Sequence, residues 1–151
     1  MPTLAYNKRA KFDYEILDTF EAGLKLSGQE VKSVRTGHIN LKGAYVTIKM
    51  SDSKPEAYLI NAHIPAYKMA GPLPEYTPER ARKLLLHRKE IDRLMGKLKQ
   101  RGLTLVPIKV YTKHNKIKLE FGVGRGKRKI DKREYIKKRD IEKQIRAKMK
   151  H

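Results

Sequence analysis

The chain has 151 residues, 36 of them Lys or Arg and 16 Asp or Glu, for a formal net charge of +20. Such an excess selects polyanionic partners, and the 39% of hydrophobic residues can furnish one core for about 120 residues but not two packed domains. The lack of Cys excludes disulfides, thiolate zinc sites and thiol nucleophiles, no apolar run approaches the ~18 residues of a membrane span, and Met1 to Ala10 carries no secretory apolar block, so a soluble cytoplasmic protein is expected.

The charge is uneven along the chain. Residues 1–124 hold 23 basic and 12 acidic side chains, whereas residues 125–151 hold 13 and 4. This divides the sequence into a body, 1–124, and a basic tail, 125–151. In the tail Ile130, Tyr135, Ile141, Ile145 and Met149 fall on one stripe of a helical wheel, with Ile136 off it. So little apolar surface does not offset the entropy of ordering, and the tail is expected to be disordered when free and helical when bound; the plainer alternative is a solvated cationic tail without a fixed partner.

In chain order, the apolar side chains from Phe12 alternate through Tyr14 and Ile16, then Phe20, Ala22 and Leu24. The break at Asp18 predicts a bend or turn near Leu17 to Thr19, with an acidic face carrying Asp13, Glu15 and Glu21 that a nucleic acid bound to the body should avoid. Gly28 to Thr36 changes period and predicts one or two helical turns stopped by Gly37. Ala44 to Met50 and Ala57 to Ile64 predict a second hairpin, and residues 65–78, with four prolines, a long stiff loop. Thr77, Pro78 and Glu79 suit a helix start, the stripe Ile91, Leu94, Met95 and Leu98 continues it, and Gly102 ends it; three consecutive leucines at 84–86 allow a break near His87. Leu103 to Tyr111 and Lys116 to Gly124 predict a last hairpin about His114 and Asn115, with an edge or bulge at Pro107. At least six short strands and one long helix predict a mainly β fold: a small closed antiparallel barrel, oligonucleotide-binding-like, since closure removes exposed edges.

Catalytic chemistry has little to stand on. The five histidines never occur at metal-ligand spacing, and Gly122, Gly124 and Gly126 lack the Lys and Ser or Thr of a phosphate loop, so they read as a flexible exit from the last strand. No catalytic residue, metal or cofactor is expected. The binding chemistry is concentrated at residues 26–35, where Lys32 and Arg35 suit phosphates. Glu30 suits either the start of a short helix or a base edge that donates hydrogen bonds.

The blocks Asn7-Lys8-Arg9-Ala10, Glu21-Ala22-Gly23, Gly28 to Arg35, Arg82 to His87 with Glu90-Ile91, Gly126-Lys127 and Asp131-Lys132-Arg133 occur in an order and spacing that closely resemble the small protein B family, the bacterial partners of transfer-messenger RNA. The resemblance implies a six-stranded closed barrel with flanking helices. It further implies binding to the transfer-RNA-like domain of that RNA and, with elongation factor Tu, delivery to stalled ribosomes in trans-translation. It places the tail in the decoding centre and the empty messenger channel, folded against small-subunit ribosomal RNA. Carried over by position, Glu30 is similar to an RNA-contacting glutamate, and Asn7, Lys8, Arg9, Lys32, Arg35, Lys83 and Lys118 match positions near the RNA; His87 faces RNA or holds a structural hydrogen bond. Leu84 to Leu86 look like packing. In the tail the resemblance marks Gly126, Lys127, Asp131, Lys132 and Arg133, with Ile141 as an apolar wedge where some relatives have Trp. The chain is expected to be a monomer when free. The alternatives are a ribosomal or ribosome-assembly protein, or a nuclease built on His87 and Glu90.

Overall fold

The alternating stretches of sequence become seven strands, joined by four α-helices, in a computed structural model that describes residues 2–127 and 129–149, without the side chains of 129–131, 148 and 149. In order these are β1 (Thr3–Tyr6), α1 (Ala10–Asp13), β2 (Tyr14–Leu24), α2 (Gly28–Arg35), β3 (Tyr45–Ser51), β4 (Lys54–Ile60), β5 (Arg82–Leu85), α3 (Arg88–Leu98), β6 (Leu103–Lys113), β7 (Lys116–Gly126) and α4 (Lys129–Met149). All ladders are antiparallel, in the spatial order β1-β6-β7-β2-β5-β4-β3. The sheet curls until β3 approaches β6, but among the described residues no ladder joins them. The fold is therefore mainly β with flanking helices as expected, while the closed six-stranded barrel is replaced by an open sheet of seven. β1 supplies the seventh strand, pairing with β6 at Lys109 to Tyr111, while Pro107, which has no amide to donate, interrupts the stretch of β6 that faces β3.

One face of the sheet is the core. Ala22, Leu59, Leu84, Val110, Leu119 and Phe121 are buried, Phe20 stacks on Phe121 at 5.8 Å, and Val34 of α2 and Leu94 of α3 close the ends. Two hairpins turn through left-handed residues, Asp52 and Ser53 at φ 48° and 66°, and His114 and Asn115 at φ 51° and 62°, as two-residue connections of twisted strands require. The expected break at Asp18 is no turn. β2 is one strand of 11 residues whose register slips between Ile16 and Asp18, a bulge that leaves Leu17 outside. The glycine run is likewise no flexible exit, because β7 continues through it to Gly126. A Cβ on Gly122 would lie 2.8 Å from Ile16 Cγ2 and 3.1 Å from the Asp18 carbonyl, so the missing side chain is what lets the bulge of β2 lie against β7.

The helix expected from Thr77 starts only at Arg88. Residues 82–85 form β5 instead, inserted between β2 and β4, with Arg82 and Leu84 facing inward. A buried arginine is tolerable there because Glu30, wholly buried in α2, accepts from Arg82 Nε at 3.0 Å and Nη2 at 2.7 Å. Arg80 pairs with the same carboxylate, the Ser27 amide donates to its Oε1 at 2.9 Å, and the Tyr76 hydroxyl lies 3.1 Å from its Oε2. Arg82 also donates to the carbonyls of Ala62 and Pro78, at 2.6 and 2.8 Å. Among the described residues no buried side-chain polar atom lacks a partner.

Burial pushes the Glu30 carboxyl up, but Arg80, the Ser27 amide and Arg82 outweigh it and hold the group at about 2. A folded-state value below the unfolded one stabilises the fold above the ordinary value of 4.5 and stops doing so as pH falls through about 2. The difference corresponds to about 3 kcal/mol at neutral pH. Urea unfolding is expected to show about 2 kcal/mol of that loss between pH 7 and pH 3, and the remainder only as pH falls past 2. Glu30→Gln, which strands two guanidinium groups, is expected to cost about 3–5 kcal/mol at pH 7 and to flatten the acid dependence. Gly122→Ala is expected to cost about 1–3 kcal/mol in the same assay, because Ile16 or the bulge must move.

Candidate nucleic-acid interface

The face of the sheet opposite the core carries a row set by register, Tyr111 opposite Lys118, Lys118 opposite Gly23 and Gly23 opposite Leu85. Gly23 has no side chain, and Leu85 leans over it, its Cδ1 3.3 Å from where a Cβ would stand. Leu85 is nonetheless 53% exposed. Beside it Arg35, Lys116 and Lys118, with Leu26 and Val31, line a shallow cavity of about 370 Å³. Arg35 Nη2 donates to the Asn115 carbonyl at 2.6 Å, which ties the end of α2 to the β6–β7 turn. An exposed leucine framed by three cations suits a ligand with flat apolar faces and a phosphate chain, because it supplies contact for the one and charge for the other.

Acids on this face are matched. Glu21 accepts from the Tyr111 hydroxyl, and its carboxyl is held below the usual range by that bond and by Lys113, 3.4 Å away. Burial, and then the same contact, push the Tyr111 hydroxyl up. Glu56 is held low by Lys83, at 3.0 Å, and by Tyr58, at 2.9 Å. Off this face Asp18 meets Lys97 at 3.2 Å and Arg93 at 3.8 Å, and Asp13 meets Arg9 at 3.1 Å. Pairing thus cancels most of the acidic face that alternation predicted; Glu15 remains exposed.

The sequence-derived residues fall into three groups. Arg35 and Lys118 line the Leu85 cavity, Lys83 neighbours it on β5, and Lys32 is exposed on α2 with its ammonium 5.8 Å from the Tyr67 ring. His87 is exposed at the start of α3, where its amide donates to Glu90 at 3.1 Å, so Glu90 serves as a helix cap. Asn7, Lys8 and Arg9 sit apart at the β1–α1 corner; Asn7 is structural there, donating to the Pro107 carbonyl at 2.8 Å and accepting from the Arg9 amide at 3.2 Å. Glu30 belongs to no surface. Its carboxylate is spent on Arg80 and Arg82, so an RNA contact has no exposed atom to use. Leu85 is the residue that sequence reasoning missed: on a strand, three consecutive leucines must place at least one outward, and reading them as helix concealed it.

The tail leaves the body through a seat on α1. The Lys127 amide donates to the Asp13 carbonyl at 2.8 Å, and Lys127 Nζ donates to the Lys11 carbonyl at 2.6 Å while standing 4.1 Å from the Tyr135 ring centre. Tyr135 meets Phe12 edge-on at 6.4 Å, and Lys132 reaches Asp13 at 3.3 Å. Gly126 ends β7, Arg133, Ile141 and Ile145 are exposed on α4, and the Asp131 side chain lies outside the described residues.

A family model described as "SmpB protein" matches residues 4–151. The SsrA-binding protein of Gloeothece citriformis is 49% identical over 144 residues, spanning 95% of this chain and 90% of its own length. That of Mesoplasma florum is 49% identical over 148 residues, spanning 98% and 97%. A solved structure presented as "tmRNA-SmpB: a journey to the center of the bacterial ribosome" superposes with a TM-score of 0.64 at 43% identity, over 87% of this chain and 93% of that one. In filter-binding titrations against a structured RNA, Leu85→Glu is expected to weaken binding at least about tenfold by adding an acid to a basic patch. Lys118→Ala is expected to make the slope of log K against log salt shallower by about one.

Proposed function

This chain belongs to the SmpB family, whose curated members are named SsrA-binding proteins, and we propose that it binds transfer-messenger RNA and serves trans-translation at stalled ribosomes. The observation that carries the reading is the exposed Leu85 over Gly23, framed by Arg35, Lys116 and Lys118. Phosphates on those cations hold the RNA in register, and Leu85 supplies apolar contact to a ribose or base that cations alone would not select. The transfer-RNA-like domain is the part of the RNA assigned to this face, as the sequence resemblance implies. The outward row of β2, β5 and β7 is offered to RNA much as an oligonucleotide-binding surface is. Members of the family are named for RNA binding, so the chain is read as a binding protein rather than an enzyme, and the family match over residues 4–151 disfavours the general ribosome-assembly alternative.

The tail carries the second half of the task. Residues 125–151 enter the decoding centre and the empty messenger channel, with Gly126, Lys127, Asp131, Lys132, Arg133 and Ile141 against ribosomal RNA. What supports this is the seat at Phe12 and Asp13, which directs α4 away from the sheet with exposed cations Arg133, Lys137, Lys138, Arg139, Lys143 and Arg146, and with Ile141 and Ile145 uncovered. Elongation factor Tu accompanies the complex in delivery, and the site of action is the cytoplasm. No described helix is long and apolar enough to cross a membrane.

Because β7 runs to Gly126 and Lys127 is bonded to α1, the informative truncation ends at Lys127. It is expected to bind transfer-messenger RNA within about twofold of the full chain and to lose peptide tagging on ribosomes stalled at a message end. Loss of both together would place the tail within the RNA-binding surface, and retention of both would leave it a charge reservoir.

A further inference from the structure

The seat on which the tail meets the body is itself anchored in the sheet. α1 is only four residues long, but its Ala10 is buried in a small cluster with Val106 and Ile108 of β6. Arg9 then orients the two half-buried residues that face the tail. Its Nε and Nη2 donate to Asp13 at 3.2 and 3.1 Å, and its guanidinium stands 4.6 Å from the Phe12 ring centre.

On the tail side, Lys132 and Tyr135 are three residues apart and so share one face of α4. Lys132 Nζ reaches Asp13 at 3.3 Å and lies 5.6 Å from the Phe12 ring centre, and Tyr135 meets that ring edge-on at 6.4 Å. Because the Lys127 amide is already bonded to the Asp13 carbonyl, ordering these two side chains closes only a short loop, at small entropic cost. Past Tyr135, among the described residues, no side chain of α4 makes an ion pair or aromatic contact with the body.

A contact that restrained the tail would cover the groups the tail uses. This one leaves them open: Arg133, Lys137, Lys138 and Arg139 are exposed, and so are Ile141 and Ile145. What it spends is one lysine and one aromatic ring at the root of the helix, where a small contact fixes the axis of everything beyond it.

We propose that Phe12 and Asp13 are positioning residues for the tail: they hold the first two turns of α4 on α1 in the free protein, and so set the direction in which residues 136–149 leave the body. The root of the tail is therefore ordered before any RNA is met, and only the segment past Tyr135 waits for a partner. The inference rests on the reading that the tail acts on the ribosome, and the Leu85 face plays no part in it.

The full chain has no Cys, so a nitroxide pair can be placed through Lys49→Cys on β3 and Lys137→Cys on α4, both exposed. Double electron–electron resonance on the free protein is expected to give a single narrow distance band. Phe12→Leu, Asp13→Asn and Tyr135→Leu are each expected to broaden it, and Phe12→Tyr, which keeps the ring, to preserve it. On ribosomes stalled at a message end, the same three variants are expected to slow peptide tagging about fivefold, with Phe12→Tyr near-unchanged. Phe12→Leu combined with Tyr135→Leu is expected to be no slower than either alone, because both remove one contact. Transfer-messenger RNA binding within about twofold throughout, with equal thermal midpoints, separates a lost direction from lost binding or lost folding. Broad distances in the unsubstituted chain, additive losses, tagging unchanged or faster in Phe12→Leu, or RNA binding that falls in step with tagging would overturn the proposal. Tagging lost by the truncation at Lys127 but intact in Phe12→Leu overturns the seat alone; tagging kept by the truncation overturns the tail's task, and the distance bands then decide the seat.

Discussion

One carboxylate organises the half of the body that is poorest in regular structure. Glu30 caps its own helix through Ser27, accepts Arg82 from a strand more than fifty positions later and Arg80 from the loop before it, and lies beside the Tyr76 hydroxyl, which is also 2.6 Å from the Ile64 carbonyl. The start of α2, the course of residues 65–81 and the insertion of β5 therefore depend on a single buried charge. A hydrophobic residue at Glu30 would leave two guanidinium groups without their counter-charge, and a neutral residue at Arg82 would leave Arg80 as the carboxylate's one counter-charge among the described residues. The cluster works because every member is satisfied at once, the condition under which a low-dielectric interior strengthens rather than penalises polar groups.

That same non-locality explains where sequence reasoning succeeded. The β6–β7 hairpin was legible because alternation and the His114-Asn115 turn are properties of neighbouring residues, and α2 because a change of period and a terminal Gly37 are local signals. β5 was not legible: Arg82 reads as a surface residue until its partner, distant in sequence, is known to be buried against it. Glu30 misled for the complementary reason, since a lone acid among bases looks like a surface contact when its true counter-charges are far along the chain. The glycines of β7 carried a packing role that only the neighbouring bulge of β2 makes visible. Of the interface, the cations at Arg35 and Lys118 were legible, but Leu85 required knowing that its segment is a strand and that Gly23 lies across from it.

The consequence for recognition is that the body separates charge from selectivity. Cations are abundant over most of the chain and attract any polyanion, whereas Leu85, an exposed apolar side chain beside Arg35, Lys116 and Lys118, offers contact that depends on a ligand's shape. On the Leu85 face Glu21 and Glu56 are tied to lysines and tyrosine hydroxyls, so that face repels little and discriminates by shape.

The seat of α4 on α1 also sets a mechanical ratio. Its 21 residues rise about 30 Å along the axis, while among the described residues Lys127, Lys132 and Tyr135, which hold it to the body, lie within its first two turns or just before them. The helix is a lever with its fulcrum at the Phe12–Tyr135 contact: beyond it about 21 Å of helix extends to Met149, so a rotation of about ten degrees there swings the far end by roughly 4 Å. Small rearrangements of a single aromatic pair are thus geared up into the reach and bearing of the whole tail.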